Sequence, residues 1–199
     1  MDLSGRERCC SGALALLAAL VLPACATAPA EQTVRSGGLN LADPVEQAAL
    51  ALAEADEAAS AGEMKRLATA VHAIEASGAQ PLADEPENPV PGWRSLAGIS
   101  RPPLRGSPLG PGFRRGQLKP GETVSIEQLF LSGEQARVVL SAPARAPLAL
   151  QVRDARSAGV CEREGTPNQC QWVPIFTQRY SIVISNRGQG PARYYLVVK

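Results

Sequence analysis

Aromatic residues and histidine are scarce in this chain of 199 residues, which contains two Trp, three Tyr, three Phe and one His. Aromatic side chains supply much of the buried area of a large core, so we expect a modest, mainly aliphatic core. The single histidine, His72, has no recognisable nucleophile or acid partner, and the sequence therefore predicts no enzyme, no cofactor and no metal site. The 20 basic and 19 acidic residues nearly cancel, which argues against a nucleic-acid partner.

Long apolar runs are also missing, except for one of ten residues, 13–22, near the N-terminus. Arg6 and Arg8 precede this run and small residues follow it, which is the layout of an export signal. A run of ten residues is too short to cross a bilayer as a helix, which takes about 20 residues. The sequence therefore predicts a cleaved signal peptide over residues 1–25 and a protein that leaves the cytoplasm.

The end of that segment, Leu22-Pro23-Ala24-Cys25, resembles the cleavage site of bacterial lipoproteins, although Pro23 departs from the small residues common at its position. The resemblance implies that Cys25 is acylated and attaches the mature protein to a membrane on the periplasmic side of the envelope. The outer membrane is mildly preferred, because the residues after Cys25 lack the Asp that often signals inner-membrane retention. The alternative is ordinary signal-peptidase cleavage after an Ala-x-Ala triplet at 24–26 or 26–28.

Only two further cysteines, Cys161 and Cys170, remain in the mature chain, since Cys9 and Cys10 fall in the signal peptide. If Cys25 is acylated, this pair in an exported protein predicts a disulfide bond. A metal site is the alternative, but two thiols with no histidine near them are too few ligands.

The mature chain starts with residues 26–42, which lack apolar periodicity and contain a Ser-Gly-Gly triplet, and we interpret them as a tether. A helical hairpin is predicted over residues 43–78, because Asp43 and Pro44 are typical of a helix start and Gly62 separates two helical patterns. We expect one apolar stripe of each helix to face the other, and the pair to dock on another surface, such as a partner. The stripes are Val45, Ala49 and Leu52 on the first helix and Leu67, Val71 and Ile74 on the second.

Residues 79–116 are rich in proline and glycine, and we predict a linker with neither a helix nor a central strand. This arm is basic, whereas residues 39–85 hold nine acidic and two basic side chains. The arm therefore either lies along the acidic helices, anchored by Trp93, or binds an anionic surface such as lipid headgroups or an acidic polymer. Its cations, with the first one beyond it, are Arg94, Arg101, Arg105, Arg114, Arg115 and Lys119.

From residue 117 onward the pattern changes to short segments rich in Val, Ile, Leu and Tyr, separated by Gly, Pro, Ser or Asn. Apolar and polar residues alternate in several of them, as expected of antiparallel strands with one buried face. We predict a small antiparallel β-sandwich over residues 117–199. The predicted strands are Thr123–Phe130, Ala136–Ser141, Leu148–Arg153, Gln171–Ile175, Tyr180–Ser185 and Arg193–Val198.

These strands resemble the bacterial pre-peptidase C-terminal domain, a jelly-roll-like sandwich attached to many exported proteases and other secreted proteins. The resemblance is carried by the Leu-Ala-Leu-Gln-Val strand at 148–152 before the cysteine pair, and by the strands at 180–184 and 194–198 after it. Gln178-Arg179 replaces the usual glycine, and the acidic residues that could bind calcium in some members are mostly absent, Asp154 standing nearly alone. The resemblance implies an accessory or surface-binding role.

Together these features predict an α+β protein in two parts, in which a Pro/Gly-rich arm joins an N-terminal helical hairpin to a C-terminal antiparallel β-sandwich. The function we infer is that of a non-catalytic, exported and lipid-anchored binding module of the cell envelope, with a protein or an envelope polymer as its partner. One alternative is an accessory subunit of an envelope secretion or assembly complex. Another is a hydrolase whose site the sequence does not reveal.

Overall fold

The computed structural model of the protein describes residues 43–83, 85, 88–100 and 110–199. The predicted signal peptide, Cys25, the predicted tether, Arg101 and Arg105 lie outside these residues. In chain order the elements are α1 (Pro44–Ala61), α2 (Met64–Ser77), β1 (Gln80–Pro81), α3 (Val90–Leu96), β2 (Gly112–Leu118), β3 (Thr123–Phe130), β4 (Ala136–Ser141), a short 3₁₀ turn (Pro143–Arg145), β5 (Leu148–Arg153), β6 (Gly159–Glu164), β7 (Asn168–Trp172), β8 (Gln178–Asn186) and β9 (Ala192–Val198). None of these helices is both long and apolar enough to cross a membrane.

The helical hairpin forms as the sequence predicted. The Asp43 side chain accepts a hydrogen bond of 2.8 Å from the backbone N–H of Val45 and so caps α1. Gly62 and Gly78 end the two helices in the left-handed conformation, with φ values of 72° and 70°. All six residues of the two predicted stripes are buried in one apolar cluster, so the prediction that these faces meet is confirmed.

Within the part of the chain that the structure describes, nine strands form two sheets that pack face to face. The five-stranded sheet has the order β1-β2-β9-β4-β7, and the four-stranded sheet has the order β3-β8-β5-β6. Neighbouring strands are antiparallel except for the short β1–β2 pair. The core between the sheets is mostly aliphatic, with Tyr180, Phe130 and Tyr194 as its buried aromatic members. The predicted antiparallel β-sandwich is therefore confirmed.

The helix layer packs on the outer face of the five-stranded sheet. Ser141 of β4 donates a hydrogen bond of 2.5 Å to the backbone carbonyl of Ala49 in α1, and Arg137 forms an ion pair with Asp43. The hairpin, which we expected to dock on another surface, such as a partner, docks on the protein's own sheet. The sheet residues that join the helical cluster are Phe113, Val139, Tyr195 and Val197.

The expectation that residues 79–116 contain neither a helix nor a central strand is wrong for part of this segment. It holds α3 and most of β2, and β2 lies between β1 and β9 in the sheet. Strand β2 is hard to recognise because glycines take the place of apolar residues in it. A Cβ added to Gly116 would lie 2.5 Å from the Tyr194 ring, so glycine there leaves room for that ring to lie across the strand.

Candidate functional site

The predicted disulfide is present and joins the two sheets. Cys161 lies on β6, an edge strand of the four-stranded sheet, and Cys170 lies on β7, an edge strand of the five-stranded sheet. The bridge therefore closes one side of the sandwich. Its role is structural, since Cys170 is buried in the core between the sheets.

Replacing Cys161 and Cys170 by Ala is expected to lower the free energy of unfolding by about 2–3 kcal/mol, because the bridge limits the freedom of the unfolded chain across a short loop. Urea unfolding of the wild type and the double variant measures the difference. The reduced wild type serves as the control and should match the variant. An unchanged unfolding midpoint in both samples would contradict the prediction.

The predicted cations within the described residues lie on two elements. Arg94 on α3 lies 2.5 Å from Glu75 of α2, which is the intramolecular pairing that the charge pattern suggested. Trp93 packs against Tyr195 with ring centroids 6.1 Å apart, and so anchors α3 on the sheet. The other described cations lie on β2 or directly after it, and Arg115 pairs across the strands with Tyr195. Contact of Arg114, Arg115 and Lys119 with an anionic surface stays a prediction.

A polar cluster fastens α1 to β9. Arg193 Nη1 lies 2.7 Å from Oδ1 of Asp56, a carboxylate that is only 5% exposed, and Arg193 also donates to the Ser60 hydroxyl. Burial raises the pKa of Tyr195 above its ordinary value, and the charge of Asp56 raises it further. These groups border a cavity of about 310 Å³. Since Arg193 neutralises Asp56 across the boundary between helix and sheet, we infer that the cluster has a structural role and holds α1 on β9.

Replacing Tyr195 by Phe is expected to make stability less dependent on pH in alkaline solution. The unfolded chain ionises this tyrosine near its ordinary pKa of 10.0, whereas the folded protein keeps it neutral to higher pH. The wild type therefore loses stability as pH rises above that value, by at most about 1.4 kcal/mol per pH unit for this group. Urea unfolding near neutral pH and in alkaline solution measures the two slopes. Identical slopes in both proteins would refute the assignment.

A wide groove of about 800 Å³ lies between α1, α2 and the 3₁₀ turn. Its charged side chains are largely engaged with one another. Arg66 donates to Glu54 at 2.7 Å and to Glu63 at 2.6 Å, and Glu57 accepts from the backbone N–H of Ala144. Three of its charged side chains, Glu54, Glu57 and Arg66, are therefore already engaged within the protein.

An exposed apolar surface lies at one end of the sandwich, and we call it the apolar tip. It is formed by the β3–β4 loop, residues 131–135, and the β7–β8 loop, residues 173–177, which both cross from one sheet to the other. Large apolar side chains there are 48–70% exposed, the most exposed being Ile175 and Phe176. The members of the tip are Leu129, Leu131, Val173, Ile175 and Phe176.

Hydrogen bonds hold the two loops of the apolar tip together. The Ser132 hydroxyl donates to the carbonyl of Ile175 at 2.6 Å, and the Ser132 N–H donates to the Thr177 hydroxyl at 3.0 Å. The N–H of Gly133 donates to the carbonyl of Pro174 at 2.9 Å. These hydrogen bonds hold the two loops in one arrangement. A partner can therefore bind the tip without the entropic cost of ordering a flexible loop.

Three aromatic rings pack together where the two loops of the apolar tip leave the sheets. Phe130 packs edge-on against Trp172 with centroids 4.9 Å apart and against Tyr180 at 5.8 Å, and Trp172 lies 5.2 Å from Tyr180. Phe130 and Trp172 are the residues that directly precede the two loops. A packed base of this kind fixes where each loop leaves its sheet.

Sequence reasoning placed this part of the tip in a strand. We predicted a strand over Gln171–Ile175, but β7 ends at Trp172 and Ile175 lies in a loop. Pro174 has no N–H to donate to a neighbouring strand, which ends the pairing. The sequence does signal the end of the strand, since a proline interrupts the apolar run Val173-Pro174-Ile175-Phe176, but it does not show that these side chains are exposed.

The potential metal-ligating side chains of the described residues are dispersed and not grouped. No group of three or more His, Cys, Asp or Glu side chains within them is placed to hold a metal ion. His72 is 63% exposed on α2, with Nδ1 3.8 Å from Glu75, as its position beside the apolar stripe suggested. What the described surface offers instead is the apolar tip, which can bury area against another surface.

Comparison with known proteins gives similarity of structure only. No protein-family model and no curated protein sequence matches the chain. A mitogen of Yersinia pseudotuberculosis is 13% identical, with a TM-score of 0.40, over 45% of this chain and 85% of that chain. A periplasmic inhibitor of g-type lysozyme, PliG of Aeromonas hydrophila, is 13% identical, with a TM-score of 0.39, over 45% of this chain and 84% of that chain.

A third similar structure is the pre-peptidase C-terminal domain of a Bacillus anthracis collagenase. It is 13% identical, with a TM-score of 0.39, over 44% of this chain and 87% of that chain. It belongs to the family that the strands of residues 117–199 resemble. Similarity at this level concerns the β-sandwich alone and gives no information about activity.

Proposed function

We propose that this protein is a non-catalytic binding module of the cell envelope and that the apolar tip is its contact surface. The observation that carries the proposal is the exposure of Ile175 and Phe176, at 70% and 69%, on loops that hydrogen bonds hold in place. Exposed apolar groups that lie together on an otherwise polar surface mark sites of interaction. A flexible loop would bury such side chains against the body, whereas these loops hold them outward.

The helix layer supports this choice of surface. The apolar faces of the helical hairpin are buried against each other and against the protein's own sheet, so they are not available to a partner. If the protein were an accessory subunit that docks on an envelope complex through the hairpin, the hairpin would have to leave the sheet. The apolar tip needs no such rearrangement.

Site-specific photocrosslinking tests the contact surface. A benzophenone amino acid in place of Phe176 is expected to give an adduct with an envelope component in intact cells. The matched control carries the same amino acid in place of Lys65, which is exposed on α2 away from the tip, and should give none. Equal labelling at both positions, or none at 176, would reject the tip as the contact surface.

The location of the protein outside the cytoplasm is proposed from the sequence. The disulfide supports this proposal, because disulfides persist in oxidising compartments outside the cytoplasm. We propose cleavage before Cys25 and acylation of its thiol and amine. The intact mass of the mature protein from a membrane fraction should match residues 25–199 plus acyl groups, and Cys25→Ala should abolish the added mass. An unmodified chain that starts at residue 27 or 29 in the soluble fraction would remove the anchor.

A further inference from the structure

The N-terminal segment enters the folded part of the chain at the end that carries the apolar tip. Asp43, which caps α1, forms an ion pair with Arg137 of β4. Arg137 follows directly on the β3–β4 loop, since β4 begins at Ala136. The backbone at Arg137 also pairs with Lys199, the residue after β9. The start of α1 and the two loops of the tip therefore lie at the same end of the sandwich.

A short stretch of chain separates this end from the predicted acylation site. Residues 26–42 lie between Cys25 and Asp43, and a chain of that length spans at most about 60 Å when fully extended. An acyl anchor at Cys25 therefore confines the start of α1 to a layer of that thickness next to the bilayer. Such confinement makes contact between the tip and the same bilayer an intramolecular event, so that even a weak affinity is sufficient.

The chemistry of the tip fits a lipid surface. Ile175 and Phe176 are apolar side chains that protrude from loops instead of lining a groove, and they can enter the boundary between headgroups and acyl chains. Arg179, which pairs across the strands with Leu129, and Lys199 place two cations beside the tip, where anionic phospholipid headgroups would attract them. Glu134, in the β3–β4 loop, is the acidic residue of the tip loops, so the local charge is mildly positive.

From these observations, and resting on the function proposed above, we propose that the apolar tip binds the lipid surface of the membrane that holds the acylated N-terminus. The sandwich then stands with its β3–β4 and β7–β8 loops in the interface. The end with the 3₁₀ turn and the β8–β9 connection faces away from the membrane. The membrane is thus bound at two places, by the acyl chains and by the tip.

Vesicle co-sedimentation tests the inference without the anchor. The unacylated mature chain, residues 26–199, is mixed with vesicles of phosphatidylcholine and phosphatidylglycerol. The partition coefficient is expected to fall at least tenfold in the Ile175→Ser/Phe176→Ser variant. The matched control, Met64→Ser/Leu96→Ser, removes two exposed apolar residues from the helices and should bind as the wild type does. Unfolding curves of all three proteins check that the substitutions leave the fold intact.

The outcomes separate this inference from the proposed function. Tenfold weaker binding by the tip variant alone supports a lipid contact. No vesicle binding by the wild type, together with a protein adduct from the photocrosslinker at 176, overturns the lipid contact and leaves the binding module standing with a protein partner. No vesicle binding and no adduct overturn both. Equal loss in the tip variant and the helix control would assign the binding to general hydrophobicity and also overturn the inference.

Discussion

Replacing Phe113 by Ala is expected to lower the free energy of unfolding by about 3–5 kcal/mol. Phe113 is 0% exposed and packs with the helical cluster from strand β2. The substitution removes a large buried side chain from the interface between the sheet and the helices. It leaves a cavity there that the surrounding residues can fill only in part. Folded domains are stable by only about 5–15 kcal/mol, so the variant should unfold at a much lower urea concentration.

The chain offers a matched control in Phe176→Ala. This substitution removes the same side chain from a position that is 69% exposed, and its effect on stability should stay within about 0.5 kcal/mol. Urea unfolding of both variants under identical conditions makes the comparison. If the two substitutions were equally mild, residues 79–116 would behave as the linker that the sequence suggested, and the packing of β2 under the helices would be wrong.

Deleting residues 43–78 is expected to prevent the rest of the chain from folding cooperatively. The deletion removes the helix layer and uncovers Val139 and Val197, which are 1% and 0% exposed in the intact protein. It also leaves Ser141 without its carbonyl acceptor and Arg193 without its carboxylate. An apolar sheet face laid open to water promotes aggregation, so residues 79–199 should lack a cooperative urea transition and a native near-ultraviolet circular dichroism spectrum.

Supplying the missing helices separately is the control for that experiment. A peptide of residues 43–78 added during refolding should restore at least part of the native spectrum, because the lost contacts are non-covalent. If residues 79–199 alone unfold in one sharp transition, the sandwich is an independent domain and the helices contribute little to it. That result would also make truncation a valid way to separate the roles of the two parts, which the present packing argues against.

The elements with clear periodicity were predictable from the sequence. The bounds of β3, β4 and β5 agree with the predicted strands, and the caps at Asp43 and Gly62 agree with the predicted helix ends. In these segments, propensity, turn chemistry and apolar alternation favour the same structure. The disulfide was predictable because the sequence predicts export, and exported chains rarely leave a cysteine pair unbridged.

The remaining elements depend on contacts that are distant in sequence. Strand β2 contains two glycines and two arginines, and it is a strand only because β9 pairs along its whole length. The apolar tip was not predictable either, since Leu131 and Ile175 come together only when both sheet crossings lie at the same end. Nothing local distinguishes an exposed isoleucine in a loop from a buried one in a strand.

The position of β9 has a consequence for when the protein can fold. It follows every other described element in the chain, yet it lies between β2 and β4 and contributes residues to both apolar clusters. Neither cluster can close while the ribosome has still to add residues 192–198, because the sheet lacks its middle member until then. Pairing of this kind between distant segments is slow. A polypeptide that stays open until residues 192–198 have been made can still be threaded through a translocation channel, so the strand order would keep the chain competent up to that point for the export that we propose.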